Sequence, residues 1–373
     1  MTNKRVVIVG GGLAGLIASI HLARQGVVCR LVEKRNYPFH RVCGEYISNE
    51  VIPYLVSLQA FPDSLSPSRI NRFQLTSTNG KSAEFPLDLG GFGISRFQFD
   101  HFLFLKAKAL GVDCHVETEV TSISFEHDQF SLQTENTSWN ADVVIGSFGK
   151  RSKLDKMLNR SFMDQRSPYV GVKYHVHLNK FPNDLIALHN FHKGYCGISR
   201  VENNTVNLCY LTHRDNLKSY KNLQTMEESV LLQNPFIKNI FDHAEFLFEK
   251  PETINEISFE TKSPVEEHIL MAGDAAGMIT PLCGNGMAMA IHSAKLVSER
   301  VLRFCKDPTY SREQMELDYS GVWHKHFSRR LWAGRQIQSL FGDEWASNLA
   351  VNLANHVRPA ANFLLRKTHG SPF

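Results

Sequence analysis

Apolar and polar positions alternate along the chain in two styles, and the switches between them outline the fold. Val6–Val9 is a short apolar run that reads as a buried strand, followed by three glycines and a helical stretch over Leu13–Gln25. Gly26 stands where a helix C-terminal glycine is expected, and Val27–Val32 is a second apolar strand. This strand–helix–strand opening implies a parallel sheet. From Arg72 the style changes. Phe73 and Leu75, then Ala83 and Phe85, alternate around Asn79-Gly80, which predicts a hairpin. Phe97–Leu110 returns to helical spacing and ends at Gly111. A second hairpin is expected through Ser122–Phe125 and Phe130–Gln133, then an apolar strand at Val143–Ile145.

Between Tyr169 and about His213 the chain is β-rich. Val170, Val172, Tyr174 and Val176 alternate with Gly171, Lys173 and His175, and Val206–Leu211 is a further strand. Such alternation predicts antiparallel strands exposed on one face. Ile269–Ala272 is again a short buried strand, leading through a glycine-rich loop into the helical Met287–Arg303. After Asp307-Pro308 the pattern is helical to the end. Two domains are therefore expected to interleave. Residues 1–70, 96–165 and 261–305 form a discontinuous nucleotide-binding α/β domain, 71–95 and 166–260 a β-rich substrate domain, and 306–373 a helical region.

The chain's 373 residues suffice for a large core, and a net charge of +4 is too mild to argue for nucleic acid. Seven dispersed cysteines offer no C-x-x-C pair, so neither a zinc nor an iron–sulfur site is expected. The apolar stretch after Arg5 is interrupted by Gly10, Gly11 and Gly12, which argues against a secretory signal; the cytoplasm is the expected compartment.

Chemistry concentrates in two glycine-rich segments. Gly10-Gly11-Gly12-Leu13-Ala14-Gly15 satisfies G-x-G-x-x-G after a strand and at the opening of a helix. Gly10 permits the tight turn, Gly12 lets a pyrophosphate approach the backbone, and Gly15 allows close helix–strand packing. Leu13 and Ala14 belong to the helix start that faces the phosphates. Glu33 ends the second strand at the spacing expected for a carboxylate that binds ribose hydroxyls. The fingerprint alone does not separate NAD from FAD. The second segment, Ile269-Leu-Met-Ala-Gly-Asp-Ala-Ala-Gly277, is a strand running into Gly273-Asp274, with Pro281, Gly284, Asn285 and Gly286 beyond it.

That second segment resembles the distal FAD motif of the superfamily containing flavoprotein aromatic hydroxylases and geranylgeranyl reductases. The resemblance covers most of residues 1–300 and implies a glutathione-reductase-like Rossmann domain with an antiparallel sheet over the flavin ring. It implies FAD as cofactor, Asp274 on the ribityl chain, and Gly284, Asn285, Gly286 and Met287 bringing backbone N–H groups to the flavin. A helix N-terminus there suits the negative charge of reduced flavin. The alternative reading of Asp274 is a helix cap.

His40-Arg41-Val42-Cys43-Gly44-Glu45 is similar to the Cys-Gly segment of geranylgeranyl reductases. The match implies that Arg41 faces the phosphates and Cys43 approaches the isoalloxazine or substrate; a small buried residue at a loop bend fits Cys43 equally. Arg96, four residues before Asp100, matches a family arginine at the FAD, and Lys34 and Val120 complete the implied cofactor contacts.

Two departures narrow the function. Gly146-Ser147-Phe148-Gly149 places Phe148 where hydroxylases carry an aspartate that touches flavin and nicotinamide donor, which puts direct NADPH use of that type in doubt. Tyr195-Cys-Gly-Ile-Ser199 keeps the tyrosine of the reductases' Tyr-x-Trp-x-Phe-Pro motif but not the rest, and the halogenases' Trp-x-Trp-x-Ile-Pro signature is absent.

The first expectation is a reductase that delivers hydride from flavin N5 to a C=C of a lipophilic or secondary-metabolite substrate. Cys43 or Tyr195 would be its acid, and NAD(P)H is one candidate electron donor. The alternative is a monooxygenase that adds oxygen at flavin C4a in a dry pocket. A third reading, a non-catalytic binding protein like the Rab escort relatives, is opposed by intact Gly12, Glu33, Gly273 and Asp274. None needs a metal. Met278, Met287 and Met289 suit either plain core or an apolar pocket. His324-Lys-His326 with Arg329, Arg330 and Arg335, flanked by Trp323 and Trp332, fits a solvated helix face or a peripheral membrane contact.

Overall fold

The structure, a computed structural model, describes residues 4–165, 167–255, 257, 259–278, 284–338, 344–356 and 370–373. Pro281 and Cys283 lie outside these. β1 (Val6–Val9) is buried at every position because it is a central strand of a sheet covered on both faces. The chain passes the glycines into α1 (Leu13–Arg24) and returns as β2 (Cys29–Val32), parallel to β1 with Val6 opposite Cys29. α2 (Arg96–Ala109) starts at Ser95, whose Oγ accepts the Gln98 N–H at 3.1 Å. β3 (Val143–Gly146) pairs with the other side of β1.

The chain then builds four antiparallel strands: β4 (Tyr169–His177), β5 (Leu185–Phe191), β6 (Gly194–Arg200) and β7 (Thr205–His213). It comes back through β8 (Ile269–Met271) and finishes on α3 (Gly286–Lys306), α4 (Arg312–Gln338) and α5 (Glu344–His356).

The nucleotide-domain sheet runs 265–266, β8, β3, β1, β2, 113–115, parallel apart from its first pair. The second sheet runs 245–246, β4, β7, β6, β5, 68–76, 82–93, 46–48, with 252–254 also on β4. Both expected hairpins form: Phe73 faces Phe85 in this second sheet, while 120–126 and 129–134 pair in a separate three-stranded sheet. The strand at 46–48, inside the stretch assigned from sequence to the nucleotide domain, edges this second sheet.

One expectation is corrected. β4 is not half exposed. Val172, Tyr174 and Val176 join Leu208, Tyr210, Met226 and Ile237 in an apolar core beneath the short helices 223–229 and 235–243. Gly171, Lys173 and His175, on the opposite face, are buried as well. The loop 42–45 of the nucleotide domain covers them: a Cβ on Gly171 would sit 3.1 Å from Val42. The alternation therefore reports a change of covering layer. It does not mark a water-facing side.

Met278, Met287 and Met289 are buried core residues. On α4, Trp323 is buried and Trp332 exposed, and Arg330 turns inward to Glu50 at 3.0 Å, so the basic stretch is not uniformly a surface face. No helix among the described residues is long and apolar enough to cross a membrane.

A buried ion pair fastens the returning chain to this frame. Arg160 Nη1 reaches Asp155 Oδ1 at 2.8 Å and the Ala275 carbonyl at 2.9 Å, while Nη2 donates to the Ser263 carbonyl at 3.0 Å. Arg160→Met would strand the Asp155 carboxylate, whose side chain is 0% exposed. We expect a loss of about 3–5 kcal/mol, read as a lowered urea midpoint.

Candidate functional site

The glycine fingerprint does two different jobs. Gly10 has φ +105°, and a Cβ there would overlap the Ser147 backbone; a Cβ on Gly15 would overlap the Gly10 carbonyl. Both serve chain packing. A Cβ on Gly12 would meet nothing closer than Arg96 Nη2, at 3.7 Å, so this glycine looks into open space beside a guanidinium. Gly12 is also the N-cap of α1 and offers no capping side chain, which leaves the first-turn N–H groups, through Leu13, Ala14 and Gly15, free of a side-chain cap. Glu33 is buried beside them, accepting from Gly11 N at 2.8 Å and from Arg35 N at 3.1 Å. Lys34 is exposed directly after it, and Val120 is buried at the head of its strand.

From Glu33 the charges alternate in sign. Arg41 stands 3.4 Å from Glu33 and 3.3 Å from Asp100. Asp100 takes both Arg96 Nε and Nη2 at 2.7 Å. Burial opposes the Arg96 charge, but Asp100 more than compensates and raises its pKa, so it stays cationic. The Arg96 backbone N–H donates to Glu45 Oε1 at 2.8 Å, and Glu45 in turn receives Lys173 Nζ and His175 Nε2 from the second sheet.

The second glycine segment meets the first. Gly273, at φ +63°, lies so close to α1 that a Cβ would sit 3.0 Å from that of Ala14. Its N–H donates to Ser293 Oγ of α3 at 2.7 Å. Lys262 Nζ bridges the carbonyls of Lys150 (2.6 Å) and Asp274 (2.9 Å), tying this loop to the one after β3; burial lowers its pKa to about 8. Gly284 has φ +61° and faces the Tyr46 ring, buried Asn285 occupies the N-cap position of α3, and Gly286 and Met287 open that helix. Phe148 folds back over Gly146, against the core.

Cys43 and Tyr195 meet one face of the second sheet at different places. The ladder pairs Ser199 with Asn207, Gly197 with Cys209 and Tyr195 with Leu211, so these residues point the same way. Asn207 Nδ2 donates to the Cys43 carbonyl at 3.2 Å, at one end. Tyr195 lies at the other, in an apolar cluster with Leu75, Leu188, Leu211, Met278 and Val351 of α5. Burial pushes the Cys43 thiol up, which keeps it protonated at neutral pH. Sequence reasoning assigned no role to Glu45, Lys173, His175, Lys150 or Lys262. Charged residues at alternate positions of an otherwise apolar strand were the available signal for Lys173 and His175.

The residues present fit FAD. A helix start without a side-chain cap and a paired guanidinium suit a pyrophosphate, a buried carboxylate suits a ribose, and a second glycine loop with Asp274 closes on the same cleft. Among the described residues no group of three His, Cys, Asp or Glu side chains is arranged to hold a metal ion.

Comparison with known proteins agrees with FAD as the cofactor. Residues 3–58 match the model of an FAD binding domain family. The chain is 22% identical over 346 residues to digeranylgeranylglycerophospholipid reductase 3 of Methanosphaera stadtmanae, covering 87% of this chain and 83% of that protein. It is 21% identical over 363 residues to tryptophan 2-halogenase of Chondromyces crocatus, covering 89% and 67%. The fold matches the crystal structure of a flavoprotein/dehydrogenase from Cytophaga hutchinsonii with a TM-score of 0.81 at 18% identity, covering 97% of this chain and 92% of that one.

The geometry separates two glycine variants. Gly12→Val should fold normally and purify without flavin, whereas Gly15→Val should fail to fold. Circular dichroism and the flavin-to-protein absorbance ratio distinguish them, and a yellow Gly12→Val protein would refute the pyrophosphate placement.

Proposed function

We propose that this FAD-dependent oxidoreductase reduces a C=C of an apolar small molecule, in the manner of the geranylgeranyl reductases it resembles. Reduced FAD supplies the hydride in such a reaction. The remaining requirements fall to the chain. Arg96 and the α1 N-terminus bind the pyrophosphate, Glu33 a ribose and Asp274 the ribityl chain. The apolar cluster around Tyr195 holds the substrate and excludes water. Cys43 or Tyr195 gives up the proton, and NAD(P)H is the candidate electron source.

The observation that carries this reading is the placement of the Cys43 turn, held by Asn207 on the sheet face that continues to the apolar cluster around Tyr195. A proton donor beside an apolar binding surface is what reduction of a polarised double bond requires. Phe148 favours the same reading, since an apolar ring cannot accept the hydrogen bonds made by the hydroxylases' aspartate. The second reading, a monooxygenase, draws on the same dry cluster, which would shield an oxygen adduct from water.

Anaerobic incubation of the reduced enzyme with candidate apolar alkenes should reoxidise the flavin in step with product. A strict requirement for oxygen would replace the reductase reading with the monooxygenase one. Cys43→Ser should keep its flavin and change turnover; equal turnover would make Cys43 structural. Asp274→Ala should weaken FAD binding by about 1–3 kcal/mol, seen as a higher dissociation constant in flavin titration.

A further inference from the structure

Glu45, Lys173 and His175 form a charged cluster closed off from solvent, with side chains 0%, 0% and 7% exposed. We propose that this triad is a positioning device that holds the Cys43-Gly44 turn against the flavin and sets the flavin's electron affinity through its balance of charge. The proposal rests on the placement of that turn beside the flavin ring.

Glu45 is held from both domains. Its Oε1 accepts from Lys173 Nζ at 2.5 Å and from the Arg96 N–H at 2.8 Å, and its Oε2 meets His175 Nε2 at 2.7 Å. Its carbonyl accepts from Ile94 N at 3.1 Å. The backbone pays for this arrangement with φ +54°, unfavourable for a residue with a Cβ. Such a conformation persists where the surroundings over-determine it, and here four contacts do so. Burial pushes the Glu45 carboxyl up, but Lys173 and the His175 bond more than reverse it, holding its pKa at about 2.

Lys173 is fully enclosed, so it reaches neither cofactor nor substrate and acts only through Glu45. The groups facing the triad are Arg96 with its partner Asp100, the Cys43 and Cys209 thiols, and the His40 ring edge-on to His175. Glu45 and Lys173 cancel each other. Removing either leaves one uncompensated charge behind the turn, in a medium that screens it poorly. Reduced flavin carries added negative charge, so it is favoured by a nearby cation and disfavoured by a nearby anion.

The test is the midpoint potential of the bound flavin, measured by photoreduction against indicator dyes at several pH values, with no substrate present. Glu45→Gln should raise the potential and Lys173→Met should lower it. The double variant should return close to wild type. A structural role alone would not produce opposite signs. If Lys173→Met cannot be purified with flavin, Glu45→Gln and the double variant suffice, because an uncoupled pair would leave both equally shifted. Where the stranded partner changes its protonation, a new pH-dependent step in the potential replaces the shift and equally supports the proposal. Potentials that stay at the wild-type value at every pH, or shift in one common direction, overturn it. Should Cys43→Ser alter the flavin spectrum while the triad variants do nothing, the triad fails and the placement of the turn stands.

Discussion

Partial positive charge at the start of a buried helix must be answered, and in this molecule the answer runs on into a line of alternating charges. Glu33 takes the Gly11 N–H, Arg41 takes Glu33, Asp100 takes Arg41 and Arg96, and Glu45 joins Arg96 to the second sheet. Each member is partly or wholly withdrawn from water, so each depends on its neighbours for the solvation it has lost. The line crosses from the first glycine turn to β4. It therefore aligns the two domains and also lays a cation, Arg96, beside Gly12.

The second constraint is steric. Gly273 and Ala14 approach so closely that two segments nearly the whole nucleotide domain apart in sequence become one wall. Lys262 reinforces it from behind by donating to a carbonyl of each adjoining loop. Small residues bring the backbones together and a buried ammonium keeps them there. Dispersion and hydrogen bonding thus act on the same few residues.

Much of this was legible in the sequence, for identifiable reasons. The fingerprint glycines, Glu33 and Gly273-Asp274 are constrained by local backbone geometry, which spacing reports directly. Both hairpins announced themselves through alternation and a turn. What spacing could not report was the covering of β4 on both faces, because the cover comes from residues 42–45, more than a hundred positions upstream. Lys173 and His175 looked like a solvent side for that reason. The helices within 214–243 were missed as well; they are short and begin at side-chain caps (His213, Asn222 and Asn234), which carry little weight beside a strand-rich pattern.

The edge strand at 46–48 has a consequence for the molecule's history. It follows directly from the Cys43 turn, yet it hydrogen-bonds into the sheet that the chain completes much later. The second lobe borrows its edge strand from the first, so it cannot be cut out, duplicated or transplanted as a unit.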